Sequence, residues 1–145
     1  MAHQNPPDEV LRRLLTEARS IAVVGASSNP ERPSHGVFGR LLAAGYRVVP
    51  VNPNETSVHG QPAVASLREL PGGVDIVDVF RRPEVVPELA RDAVAIGARV
   101  LWLQSGIRSE EAAAIATAAG LRVVMDECIG VAISRLRIAR QQGGA

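Results

Sequence analysis

The sequence predicts an α/β fold: a Rossmann-like, doubly wound, parallel five-stranded sheet of order 3-2-1-4-5 with helices on both faces. Three observations predict it. Five short, mainly apolar runs rich in branched residues stand at 21–24, 48–51, 74–80, 100–103 and 121–125, the pattern of strands buried on both faces. Their starts lie about 20 to 30 residues apart, the size of a βα unit. Most of the intervals carry apolar residues at helical spacing between a start signal and a glycine stop.

The elements follow in order. After a proline-containing tail at 1–7, residues 8–19 place Val10, Leu11, Leu14, Leu15 and Ala18 on one helical face, with Asp8 and Glu9 in the first turn. Ser34 is placed to cap a helix running through Val37, Phe38, Leu41 and Leu42 to the terminator Gly45. The interval 52–73 is the weakest unit, because Pro53, Gly60, Pro62, Pro71 and the Gly72-Gly73 pair leave room for a short helix near 66–70 and a minor strand. Pro83 opens a helix that continues to Gly97, and Ser109, followed by Glu110 and Glu111, opens an alanine-rich one ending at Gly120. A last helix is expected over 129–140, ahead of a fraying tail at 141–145. Right-handed crossovers join these units into one domain over 1–145. Loops at the carboxyl ends of strands one and four cannot fill the crevice where the strand order reverses, so ligand is expected there.

Composition narrows the chemistry. The chain of 145 residues carries sixteen basic and fifteen acidic residues, for a net charge of +1, which gives no broad electrostatic footprint for nucleic acid or an anionic membrane. Any anion must be held locally. All sixteen basic residues are arginine, which excludes Schiff-base chemistry, a lysine-bound pyridoxal cofactor and the P-loop lysine. The single Cys128 forms no internal disulfide, and His3, His35 and His59 show no zinc-ligand spacing. No metal site, no run of about 18 apolar residues and no signal-peptide pattern is readable, so a cytoplasmic location is expected.

The strand ends carry the informative residues. The first ends in Gly25-Ala26-Ser27-Ser28-Asn29-Pro30-Glu31-Arg32-Pro33-Ser34, followed by helix. Gly25 lets the backbone turn, the small serines allow a phosphate to approach the helix start, and Arg32 offers a charge-assisted contact. An ordinary βα turn, with capping serines and stiffening prolines, is the alternative. Ser27 and Pro30 replace the second and third glycines of the dinucleotide fingerprint, and Val51-Asn52-Pro53-Asn54 supplies no acid to read a ribose diol. Val51 and Asn52 suit an adenine, whereas Glu55 reads as a solvated loop residue. Phe80-Arg81-Arg82-Pro83 puts two guanidinium groups at a strand exit, facing either a polyanion or solvent and the nearby Glu84 and Glu88. Gln104-Ser105-Gly106 offers an amide and a close backbone approach for an amide-bearing ligand arm. Trp102 reads as core, and His35 as a surface residue at a helix start. Arg135, Arg137 and Arg140 form either a solvated stripe or a partner contact. Acidic neighbours give Cys128 no sign of activation.

Taken in order, Gly25-Ala26-Ser27 with Arg32-Pro33-Ser34, Val51-Asn52-Pro53, Asp78-Val79-Phe80-Arg81, Leu101-Trp102-Leu103-Gln104 and Val124-Met125-Asp126-Glu127-Cys128 resemble the small bacterial stand-alone CoA-binding proteins. Those are related to the N-terminal domain of the succinyl-CoA synthetase α subunit. The resemblance covers about residues 10–138. It implies CoA or acyl-CoA as the ligand, with 25–34 on the phosphates, Val51 to Pro53 near the adenosine, Phe80 to Pro83 along the nucleotide and pantetheine, and Gln104 to Gly106 completing the crevice. The missing diol-reading acid then fits a 3′-phosphorylated ribose. The synthetase phosphohistidine has no counterpart in this chain, so synthetase activity is not implied. Relatives often carry a basic residue where Glu127 stands.

The leading expectation is non-catalytic CoA binding, with a small-molecule partner, no nucleic acid and no membrane. A nicotinamide-dependent oxidoreductase or redox sensor is the enzyme alternative, and an interaction module with a vestigial crevice is the third. Cys128, at the same rim, is either an inert buried thiol or a site for a mixed disulfide with CoA.

Overall fold

Branched residues that prefer extended backbone build every strand of the main sheet. The computed structural model describes residues 2–70 and 72–141. Its strands are β1 (Ser20–Val24), β2 (Arg47–Val51), the hairpin β3 (Ser57–Val58) and β4 (Gln61–Pro62), then β5 (Ile76–Val79), β6 (Val100–Leu103) and β7 (Arg122–Val124). The helices are α1 (Asp8–Glu17), α2 (Pro33–Ala43), α3 (Val86–Ala95), α4 (Glu110–Ala118) and α5 (Ile129–Arg135).

The main sheet has the order β2-β1-β5-β6-β7, and each neighbouring pair is parallel. The run at 74–80, third along the chain, therefore lies beside β1. Val64 makes a parallel bridge to Val51 outside β2 and takes the third place of the 3-2-1-4-5 pattern. The minor strand expected in the proline-rich interval appears as the short β3–β4 hairpin and that bridge, and the winding reverses between β1 and β5.

Alternation along the strands sorts the core into two layers. Ile21, Val23, Ile76, Trp102 and Val124 pack with α1, α2 and α5. Ala22, Val24, Val77, Leu101 and Val123 pack with α3 and α4. β1, β5 and β6 are buried at every position, as a parallel sheet covered on both faces requires.

Local chemistry sets the helix ends. Arg32, not Ser34, is the N-cap of α2, because Pro33 occupies the first helical position, where its missing N–H costs nothing. Ser109 caps α4 by accepting from the Ala112 amide at 3.1 Å. Pro83 opens a 3-10 turn (Pro83–Val85) that hands over to α3. The short helix expected at 66–70 is a 3-10 turn with a capping box between Ser66 and Glu69. The last helix stops at Arg135 rather than Arg140, and Arg137 follows in the left-handed region at φ +55°.

Residues near both ends of the described chain are tied down. The Asn5 side chain donates to the Met125 carbonyl and accepts from its amide, each at 2.9 Å, so the segment around Asn5 lies against the end of β7. The Gln141 amide donates to Ala44 at 2.7 Å, and its side chain reaches the carbonyls of Leu15 and Thr16. Gln141 is thus docked where fraying was expected. Residues 142–145 and the breaker Pro71 lie outside the described residues. Tyr46 donates to the Leu15 carbonyl, and burial pushes its phenol up to about 12. Among the described residues, no helix is long and apolar enough to cross a membrane.

Candidate functional site

The residues singled out from the sequence converge on the carboxyl edge of the sheet in two groups. The first group lies over β2, β1 and β5. Gly25 turns at φ +88°, and a Cβ there would meet the Phe80 carbonyl oxygen at 2.6 Å and Arg81 Cδ at 3.2 Å. The glycine therefore lets the 25–32 loop lie against the exit of β5, with the Arg81 stem across the turn. The Gly25 amide donates to Val51 and the Phe80 amide to Val24, which zips the three strand ends together.

The loop is largely self-satisfied. Asn29 N–H donates to Ser27 Oγ at 3.0 Å, and Glu31 N–H to Asn29 Oδ1 at 2.9 Å. Ser34, buried, donates from its hydroxyl to the Gly25 carbonyl at 3.1 Å. It latches the loop and does not present itself at the surface. Asn52 is likewise committed: its amide nitrogen donates to Ala26 at 2.8 Å, and its oxygen accepts from the Asn54 amide at 2.9 Å. Val51 is buried beneath it. Glu55, read as a solvated residue, instead accepts from the Ser28 amide at 2.9 Å, and that bond holds its carboxyl below the usual range. Sequence reasoning missed this contact because Pro53 suggested a loop turned outward.

Ser28, Asn29, Arg32, Pro33, Pro53, Arg81, Arg82 and Pro83 are exposed at this rim, with Ser27 and Phe80 half-buried and Ala26 buried. Arg82 sits 3.9 Å from Glu84, a loose solvent-exposed pair. Arg32 and Arg81 make no ion pair or side-chain hydrogen bond among the described residues. Two uncommitted guanidinium groups thus flank one glycine turn at the reversal of strand order.

Histidines brace the same corner. His35 Nδ1–H donates to the Ser27 carbonyl at 2.9 Å, and His59 Nε2–H to the His35 carbonyl at 2.8 Å. Their rings lie 4.0 Å apart, and His59 stacks on Phe38 at 5.5 Å. The β3–β4 hairpin, turned by His59 and Gly60 with positive φ, is pinned to α2 by this stack. His59 was read only as part of an irregular loop.

The second group lies over β6 and β7. Gln104 is buried, and its Oε1 accepts from the Ile129 amide at 3.0 Å, so it serves the start of α5. Ser105 and Gly106 are exposed, and the Gly106 amide donates to Asp126 at 2.7 Å. Trp102 is core, as expected, with its indole N–H on the Glu127 carbonyl at 2.8 Å. Arg135 pairs with Asp8 and Glu127, both at 2.9 Å, so its part of the basic stripe closes on its own molecule.

One residue of the site was legible only as a member of a motif. Asp78 is fully buried in β5, and neither of its oxygens has a hydrogen-bond partner in the protein. Burial, then charge on Cys128, pushes its carboxyl well above the usual range. An acid with apolar neighbours on both sides, inside the strand that follows Asp75, is the signal that marks it. At the opposite edge, a small hollow lined by Leu14, Ala18, Asp75, Ile76 and Arg99 lies at the amino ends of the strands, away from this chemistry.

Comparison with known proteins identifies the family. Residues 19–134 match the model of the family described as CoA binding domain. The uncharacterized protein YneT of Bacillus subtilis (strain 168) is 43% identical over 129 residues, covering 89% of this chain and 96% of the relative. A hypothetical protein from Pyrococcus horikoshii OT3 superposes with a TM-score of 0.88 at 36% identity, covering 94% of this chain and 99% of that one. The acetate–CoA ligase (ADP-forming) II subunit alpha of Pyrococcus furiosus is 31% identical over 124 residues, which are 78% of this chain and 27% of that subunit. The chain therefore spans about a quarter of the ligase subunit and nearly all of the small relatives. With the matched segment running from the start of β1 into α5, the chain belongs to the CoA binding domain family.

Proposed function

We propose that the protein binds CoA or acyl-CoA across the carboxyl ends of β2, β1 and β5 and does so without turning it over. The observation that carries the reading is the pair of uncommitted guanidinium groups, Arg32 and Arg81, on either side of the Gly25 turn. A pyrophosphate and a 3′-phosphate are polyanions that bidentate donors suit, whereas a nicotinamide dinucleotide calls for a diol-reading acid that Asn52 does not supply. In this reading Ser27, Ser28, Asn29 and Arg32 face the phosphates, Pro53 borders the adenosine, and Phe80 to Pro83 follow the nucleotide. Gln104 acts indirectly, by fixing the start of α5, while Ser105 and Gly106 form the far wall.

Calorimetric titration with CoA and dephospho-CoA tests this. The expected result is binding of both with a preference for CoA, and Arg32→Ala and Arg81→Ala each weaken it by about 1 to 3 kcal/mol through loss of a charge-assisted bond. Absence of heat and of any thermal shift with either ligand overturns the reading. Tight NADH binding without a response to CoA replaces it with the oxidoreductase alternative, and product formation on incubation with an acyl-CoA overturns the non-catalytic part.

A further inference from the structure

Asp78 stands next to last in β5, in register with Val23 of β1 and Trp102 of β6. A fully buried carboxyl without a partner costs stability, and an aliphatic residue like its neighbours Val77 and Val79 would avoid that cost. Such a group has a reason to be there when it serves chemistry rather than packing. Burial raises its carboxyl well above the usual range, which favours the protonated form.

Asp78 stands in register with Trp102, whose indole N–H holds the carbonyl of Glu127, the residue before Cys128, and charge on Cys128 adds to the rise of the Asp78 carboxyl. Two bonds fix the sulfur's backbone: Trp102 Nε1–H to the Glu127 carbonyl at 2.8 Å and Ile129 N–H to Gln104 Oε1 at 3.0 Å. They clamp the residues on either side of Cys128 over the end of β6. The cysteine is half-buried at the N-cap position of α5. α5 packs beside α2 through Arg40 and Ser134, 2.6 Å apart. Both helices therefore start from the carboxyl edge on the same face of the sheet, one from the proposed phosphate loop and the other from the thiol.

We infer that Cys128 is a covalent attachment point for the sulfur end of a CoA-type ligand, with Asp78 as the buried positioning residue beside it. The inference rests on the CoA-binding reading. The step is a thiol–disulfide exchange in which CoA disulfide is the oxidant. Cys128 loses its proton to solvent, and its sulfur bonds to one sulfur of the CoA disulfide. The original S–S bond breaks, and the departing CoA leaves as a thiolate that takes up a proton. Cys128 ends as a mixed disulfide with one CoA, and the two electrons leave on the released thiol. Burial raises the Asp78 carboxyl, which favours its neutral form and so lessens the repulsion that a second negative charge would bring to the sulfur anion.

Intact-mass measurement of the full chain after treatment with CoA disulfide reads the adduct directly. Wild type is expected to gain one CoA, reversibly by dithiothreitol, and Cys128→Ser to gain none. Glutathione disulfide is expected to react severalfold more slowly, because it lacks the nucleotide that docks. The wild-type rate should fall where Asp78 loses its proton; Asp78→Asn should react severalfold more slowly near neutrality and lack the decline. No adduct on wild type, or equal rates with the two disulfides, overturns the attachment site. An unchanged pH profile in a folded Asp78→Asn overturns the role of Asp78, and the Cys128→Ser and two-disulfide comparisons remain decisive for the site if that variant does not fold. CoA binding by calorimetry without adduct formation sinks this inference alone, whereas loss of binding in wild type and Cys128→Ser alike sinks the binding reading beneath it.

Discussion

A methyl group at residue 25 would meet the Phe80 carbonyl oxygen at 2.6 Å while the backbone sits at φ +88°. Neither a rotamer change nor a small shift removes a clash with main chain. Gly25→Ala is therefore expected to lower stability by about 3 kcal/mol and to weaken CoA binding, read as a shifted denaturation midpoint and by calorimetry. Gly36→Ala is the control. A Cβ there has nothing within 4 Å, and the residue lies inside α2, so that change is expected to be neutral or to stabilise by about 0.5 to 1 kcal/mol. Equal losses in both variants would show that the 25–32 turn is not held against β5. Glu55 makes the opposite kind of prediction. Its carboxylate takes the Ser28 amide and places a negative charge at the loop assigned to phosphates. Glu55→Gln keeps an acceptor and removes the charge, so CoA should bind severalfold more tightly at neutral pH. The bond holds the carboxyl below its usual range, so the charge persists until pH falls through that lowered value. Wild-type affinity for CoA should climb only in that acidic window, with no such climb in the variant; identical titrations of the two proteins would remove Glu55 from the account.

At the level of elements, the junction of α1, α2 and the final segment depends on Tyr46. Its hydroxyl donates to the Leu15 carbonyl, and its phenol is raised from 10.0 to about 12 by burial. An acid whose value rises on folding prefers its proton in the native state. The folded protein therefore loses stability as pH climbs above about 10, where the unfolded phenol ionises first, until about 12. Tyr46→Phe should cost about 1 kcal/mol at neutral pH, from the lost hydrogen bond and an unpaired Leu15 carbonyl. It should also remove the phenol's share of the alkaline loss. Urea denaturation at neutral and alkaline pH measures both, and an equal alkaline loss in the variant would place its origin elsewhere.

Across the whole molecule, what could be read in advance follows from periodicity. Branched runs and glycine stops announced the five parallel strands and the helices between them, because burial on both faces demands mainly apolar residues there. Val64 was not legible as the third place of the sheet, since one bridge in a proline-rich interval leaves no periodic trace. At the site, sequence reading located the residues but not their partners: Ser34, Asn52 and Gln104 are polar groups at strand ends, and only three-dimensional proximity shows them satisfied by Gly25, Ala26 and Ile129. Asp78 was visible only within a motif, and its isolation depends on what Val23 and Trp102 bring alongside.

The contact between Asn5 and Met125 bears on how this sheet ends. An outermost strand with open peptide groups invites a second molecule to continue the ladder. A single carboxamide here occupies the donor and acceptor that such a visitor would use first. Asn5→Ala, and more strongly deletion of residues 2–7, should make light-scattering mass grow with protein concentration; a constant mass would mean the border is guarded by something else. A side chain of one residue would then set the boundary between a finite particle and an open-ended one.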